Sequence, residues 1–300
     1  MFSDSLLTMR IPTLLAAAAL LTASLTHAAS PLIKTGETVA FLGDSITQQG
    51  ADSTGGYVRL VGSGLAANGI DIKIIPAGIS GHKSNQMRAR LDNDVLAKKP
   101  NWMTLSCGVN DVWHGEKGVP LDEYKANITD IVDRCQKAGV KVVILTSTQI
   151  SLPVDNPNNV KLIPYNAFLR DLAKERNLPL ADLNADMLAE QEKLKAAGVN
   201  KSLTADGVHM NYLGNIMMAR GVLRAFGLDD SQLAAAGTKW KTIPDAVPLT
   251  LKVKISMPEM EALESQAAAR KQSLDAFLTE NLSASLKSTV AAPKAGSPAK

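Results

Sequence analysis

Histidine and cysteine are scarce in this chain. Four histidines and two cysteines occur in 300 residues, and aromatic residues make up only 4%. Their placement shows no metal-ligand spacing. No phosphate-binding loop is present. Gly62-Ser-Gly64 with Gly69 lies inside a helical pattern rather than after a strand, where a nucleotide fingerprint belongs. The G-x-S-x-G elbow of one large hydrolase class is missing as well. Charge is nearly balanced: the formal net value is +3, too small to argue for a nucleic-acid partner. These absences leave an ordinary globular composition, 45% hydrophobic and 20% charged, with no cofactor or metal implied.

The N-terminus reads as a targeting segment. Ile11 to Leu25 is uncharged and apolar, Arg10 precedes it, and Thr26-His27-Ala28 places small residues at the first and third positions of a cleavage site. The run falls short of the roughly 20 residues a membrane span needs. A signal peptide over residues 1–28 is therefore expected, with an uncleaved anchor as the alternative, and a periplasmic or extracellular protein with no stable span after processing. The start lies at Met1 or Met9. In an oxidising compartment Cys107 and Cys135 could pair, but each sits in an apolar pattern and reads equally as a small core residue.

Along the chain, short β-rich runs alternate with helical patterns. Strands are expected at Thr38–Leu42, Asp71–Ile75, Trp102–Ser106, Val140–Leu145 and Leu180–Leu183. Helices are expected at Gly56–Ala67, His82–Ala97, Leu121–Lys137, Asn159–Arg176, Asn184–Ala197 and Tyr212–Phe226. Such alternation builds a five-stranded parallel sheet in a three-layer α/β/α, flavodoxin-like domain, here over 36–228. Sites in these sheets form at the carboxyl ends of the strands. Residues 229–248 read as a linker. Leu249–Ile255 alternates as a one-sided strand, Ser256-Met-Pro-Glu259 is a capping box, and Ser273 can cap a second helix. Residues 249–288 thus form a strand-helix-helix extension the size of a ribbon-helix-helix module. It suits docking on the main domain or homodimer formation, and residues 289–300 read as a disordered tail.

Chemistry follows from the few histidines. His27 leaves with the leader, so His82, His114 and His209 remain as bases for an activated serine. Two of them follow an aspartate by three residues: Asp111-Val-Trp-His114 and Asp206-Gly-Val-His209. Either pair can place a carboxylate beside an imidazole, and spacing alone does not choose. Ser45, after the apolar run Val39–Leu42, is either a nucleophile or a helix cap.

Four blocks in order decide for a family. Gly43-Asp44-Ser45, Gly81, Gly108-Val-Asn110-Asp111 and Asp206-Gly-Val-His209 resemble those of the SGNH, or GDSL, hydrolases over about Glu37 to Gly227. The resemblance implies Ser45 as nucleophile, His209 as base and Asp206 as the carboxylate orienting it. It implies an oxyanion hole from the N–H groups of Ser45 and Gly81 and the Asn110 amide. Asp111 then buttresses the Asn110 loop, and Asp44 bonds locally. Trp113, His114 and His82 become candidate substrate contacts. Two positions depart from the pattern: Pro76 where Asn is frequent, with Gly78 competing with Gly81, and Met210 where Pro is common. The expected activity is an exported serine esterase acting through an acyl-enzyme on a small ester, foremost O-acetyl groups of a carbohydrate. Longer acyl chains, as in a lysophospholipase or thioesterase, are one alternative, and an inactive carbohydrate-binding or assembly protein is another.

Overall fold

The computed structural model describes residues 30–199, 201–244, 246–247 and 253–291. The leader expected over residues 1–28 and most of the tail lie outside them. The chain divides into two compact units at Val247/Pro248.

The first unit runs β1 (Thr38–Gly43), α1 (Ser45–Asp52), α2 (Tyr57–Ala66), β2 (Lys73–Gly78), α3 (Ser84–Asp94), β3 (Trp102–Ser106), α4 (Val109–Trp113), α5 (Leu121–Lys137), β4 (Lys141–Leu145), α6 (Pro157–Glu175), β5 (Leu180–Ala181), α7 (Leu183–Ala196), α8 (Tyr212–Ala225) and α9 (Asp230–Trp240). The five strands form one parallel sheet in the order β2-β1-β3-β4-β5. Val39 sits between Ile74 and Trp102, and Thr104 beside Val143. The continuous apolar runs in β1, β3 and β4 are buried because helices cover the sheet: α2 packs with α1, α8 and α9, and α5 with α3 and α6. Parallel strands put every carboxyl end on one edge, so the loops carrying Ser45, Gly81 and Asn110 converge.

The linker expected over 229–248 is corrected by α9. The segment holds few large apolar residues, yet Leu233, Ala236 and Trp240 are buried. Small residues permit a close approach: a side chain added at Gly64 in α2 would press on Ala236 and Trp240. The Trp240 indole N–H donates to the Leu60 carbonyl at 2.9 Å. The overlooked signal was the capping box of Asp229 and Gln232.

The second unit contributes α10 (Met257–Ala269) and α11 (Leu274–Ala291). Ser256 and Glu259 form the expected capping box, and Ser273 accepts from the Ala276 N–H. Ala267 and Phe277 are buried between the helices, with Arg270 over the Phe277 ring. Leu278, Leu282 and Leu286 remain exposed along α11. Of the strand expected over Leu249–Ile255, residues 249–252 lie outside the described part. Val253 to Ile255 carry no strand among the described residues. The helix runs on to Ala291, so the tail read as starting at residue 289 begins in ordered helix.

Candidate active site

Ser45 stands where β1 turns into α1. Asp44 caps that helix: its Oδ1 accepts the Ile46 N–H at 2.9 Å. Gly43 is required because a side chain there would collide with Thr47. The Gly43 carbonyl ties the turn to two other elements, accepting the Ile79 N–H at 3.1 Å and Arg90 Nη2 at 2.8 Å. The cap-or-nucleophile alternative dissolves, since Asp44 is the cap and Ser45 is the first helical residue.

The second histidine pair meets this serine. His209 Nε2 lies 2.9 Å from Ser45 Oγ, and His209 Nδ1 lies 2.7 Å from Asp206 Oδ2. The turn is built locally. Asp206 Oδ1 accepts the N–H groups of Val208 and His209, Gly207 takes a positive φ of 97°, and Thr204 bridges Met210. Burial works against ionisation of Asp206, but the hydrogen bonds from the His209 ring and the two N–H groups prevail and lower its pKa to about 2. The carboxylate therefore stays charged beside the imidazole at neutral pH. Met210, where proline is common, packs against Gly214 of α8.

On the other side of Ser45, Asn110 is 4% exposed. Its Nδ2 donates to Asp44 Oδ2 at 3.3 Å and to the His82 carbonyl at 3.2 Å. Asp44 is 2% exposed, and burial followed by the nearby Asp111 raises its pKa to about 6, against the pull of the Ile46 N–H. Asp111 is a buttress: its Oδ1 accepts the Ser84 N–H at 3.0 Å and the Ser84 hydroxyl at 2.6 Å, tying α4 to the start of α3. Burial raises its pKa too.

The two candidate glycines separate by geometry. A side chain at Gly78 would collide with the backbone of Thr47 and Gln48, so Gly78 lets β2 touch α1. Gly81 has a positive φ of 77° and open space where a side chain would be. Among the described residues no acceptor meets the N–H of Gly81 or of Ser45. Both N–H groups are therefore left without an internal acceptor, and the Asn110 amide is held by the Asp44 carboxylate next to Ser45 in the chain.

The sequence profile of the GDSL-like lipase/acylhydrolase family matches residues 41–215. The chain belongs to this family. It is a carboxylic ester hydrolase with the SGNH-type α/β fold. It is 32% identical over 216 residues to an acetylxylan esterase of Geobacillus stearothermophilus, covering 66% of this chain and 97% of that enzyme. The crystal structure of that esterase superposes with a TM-score of 0.59 at 30% identity over the same shares of both chains. An acetyl xylan esterase, AlAXEase, gives a TM-score of 0.59 at 34% identity, over 63% of this chain and 98% of its own. Esterase TesA of Pseudomonas aeruginosa is 31% identical over 110 residues, 36% of this chain and 53% of that enzyme.

The remaining candidate positions of this SGNH hydrolase have other partners. Trp113 ends α4, which also carries Asn110, His114 follows it as the C-cap, and both are exposed. Their rings lie 6.1 Å apart, and His114 Nδ1 lies 2.8 Å from the Asn110 carbonyl. Asp111 thus leaves His114 without a carboxylate, which separates the two Asp-x-x-His pairs. His82 serves the site through its backbone carbonyl. Burial, then Arg90, lowers its pKa, and its Nδ1 has no partner among the described residues. Cys107 and Cys135 are buried and free, with Cys107 Sγ 3.5 Å from Asp111 Oδ2 and Cys135 Sγ 3.7 Å from Met103 Sδ. Burial pushes the Cys107 thiol well up, so it is no competing nucleophile.

Sequence reasoning missed the braces between these parts. Asn215 of α8 accepts the Tyr57 N–H at 2.8 Å and donates to the Met210 carbonyl at 3.2 Å. The Tyr57 hydroxyl lies 2.8 Å from Thr47 Oγ1 in α1. The histidine turn and the serine helix are thereby joined. Gln48 accepts both the N–H and hydroxyl of Ser80, fixing the Gly81 loop. An inward-facing Asn or Gln within a helical pattern gives no sequence signal of this use.

Proposed function

We propose that this enzyme is an exported serine esterase that removes O-acetyl groups from a carbohydrate. The observation that carries the mechanism is the Asp206–His209–Ser45 series of contacts at 2.7 and 2.9 Å, the second joining residues 164 apart in the chain. His209 Nε2 takes the Ser45 hydroxyl proton as Oγ attacks the ester carbonyl carbon. The resulting oxyanion receives hydrogen bonds from the N–H groups of Ser45 and Gly81 and from Asn110 Nδ2. The two resting bonds of that amide are long, so its hydrogens can turn to a stronger acceptor. The tetrahedral species collapses to an acyl-serine, and His209 returns the proton to the leaving alcohol. Water then repeats the sequence, with His209 as base, and releases the acid.

The acetyl-carbohydrate reading rests on likeness to acetylxylan esterases and on Trp113, exposed on the same helix as Asn110, where a ring can pack against a sugar face. Ser45→Ala should abolish hydrolysis of p-nitrophenyl acetate and labelling by a fluorophosphonate. Full activity in a folded variant would refute the assignment. Release of acetate from acetylated oligosaccharides tests the substrate class, and a preference for C8 over C2 esters would count against it. Export rests on the leader pattern over residues 1–28. The mass of the protein recovered from the cell envelope or medium should correspond to cleavage near Ala28, and an intact N-terminus would overturn that point.

A further inference from the structure

A cleft of about 440 Å³ opens between α8 and α9, beginning at the first residue of α8. That residue, Tyr212, follows His209 by three positions and is exposed. Tyr212, Ile216 and Arg220 recur every four residues, so they share one face of α8. At 1.5 Å of rise per residue, Arg220 lies about 12 Å along the helix from Tyr212. The opposite wall is α9, with Gly237, Trp240 and then Lys241. The Arg220 guanidinium reaches across toward Gly237, 3.6 Å from where a side-chain carbon would stand there.

The cations in this cleft are unmatched. Among the described residues, neither Arg220 nor Lys241 forms an ion pair. Acidic groups do stand behind Arg220, in the adjoining cleft, but they are engaged elsewhere: Asp186 with Arg224 at 3.9 Å and Glu190 with Lys193 at 3.6 Å. The Tyr212 hydroxyl likewise has no partner among the described residues. An aromatic ring with a free hydroxyl, an apolar floor and two unpaired cations suit a ligand that has a C–H face, hydroxyl groups and a carboxylate. That combination describes a sugar acid. The guanidinium fork can take a carboxylate through two hydrogen bonds.

We propose that the α8–α9 cleft is a subsite for a uronic-acid residue of the acetylated glycan, several sugars removed from the ester under attack. Tyr212 at the catalytic end guides the chain, and Arg220 and Lys241 bind the carboxylate. The inference rests on the acetyl-carbohydrate reading given above and adds the class of glycan to it.

The test compares acetate release from two acetylated oligosaccharides of equal length, one with a uronic-acid branch and one neutral. For the full chain, kcat/KM should favour the acidic substrate by about tenfold, and the advantage should shrink as salt is raised. In Arg220→Gln/Lys241→Gln the ratio of the two kcat/KM values should fall to about one. Thermal melting of the double variant shows that it is folded, and Tyr212→Ala provides a second variant, expected to raise KM for both oligosaccharides. Equal rates on the two substrates in the wild type would overturn the subsite and leave the esterase reading standing. So would a ratio unchanged by the double variant. Hydrolysis of p-nitrophenyl acetate with no acetate from either oligosaccharide would remove the carbohydrate reading and the subsite together.

Discussion

The Asp206 and His209 side chains are 57% and 21% exposed, whereas Asp44 and Asn110, on the opposite side of Ser45, are 2% and 4% exposed. The base side is assembled from one turn whose hydrogen bonds close within a few residues. The proposed oxyanion side is assembled from three separate segments, with Ser84, Asp111, Asn110, Asp44 and the His82 carbonyl bonded across tens of residues. A local turn keeps its geometry without a core around it. A long-range cluster holds only while the sheet and its helices hold, and every buried polar atom in it needs its partner.

That contrast can be pressed hardest on the base side. Asp206→Asn keeps an acceptor for the Val208 and His209 N–H groups but removes the charge that fixes the imidazole. We expect kcat to fall by as much as about 10⁴, with the melting temperature at neutral pH lowered only by what the charged carboxylate adds, a difference that disappears as pH falls toward 2. A loss of stability that persists at pH 2 would show that the turn is not the self-contained unit described. On the oxyanion side, Asn110→Ala should cost about 10²–10³ in kcat. It should also cost stability, about 1–3 kcal/mol, because Asp44 Oδ2 and the His82 carbonyl lose a buried donor. Steady-state kinetics and denaturant unfolding read the two effects, and the pair of variants should split them.

The smallest effect is a slope. Asp44 holds its proton in the folded protein up to a pKa of about 6, against 3.8 for the ordinary carboxyl. A raised carboxyl pKa means that the native state binds the proton more tightly, so this group favours folding below about pH 4 and that contribution is lost as pH rises to 6 and beyond. Asp44→Asn lacks the titration. The melting temperature of the wild type relative to this variant should therefore fall between pH 4 and pH 6.5. Asp206, with its lowered pKa, acts in the opposite sense, and its contribution is lost as pH falls from about 4 through 2. Parallel melting curves across the upper window would show that Asp44 is not buried as described.

The strands were legible because sheet burial on both faces leaves an unmistakable apolar run, as in Val140–Leu145. Spacing narrowed the base to the two Asp-x-x-His pairs, and the resemblance to the family, not the pair itself, pointed to His209. The helix α9 was not legible, because it buries only Leu233, Ala236 and Trp240, too sparse a stripe to stand out from an Ala- and Gly-rich segment. Arg90, Asn215 and Gln48 were not, because each reaches a group more than thirty residues away in the chain.

By itself the sequence determined the chemical inventory and its order: a serine after the first buried run, an asparagine after the third, and an Asp-His pair before a terminal helix of the domain. Only the tertiary structure decided between equals. It set His209 against Ser45 and left His114, the C-cap of α4, on the Asn110 carbonyl four residues back, while Asp111 turns to Ser84. It gave Gly78 to packing and left Gly81 with a free N–H. Distances between remote segments follow from how the layers pack, and one-dimensional order does not contain them.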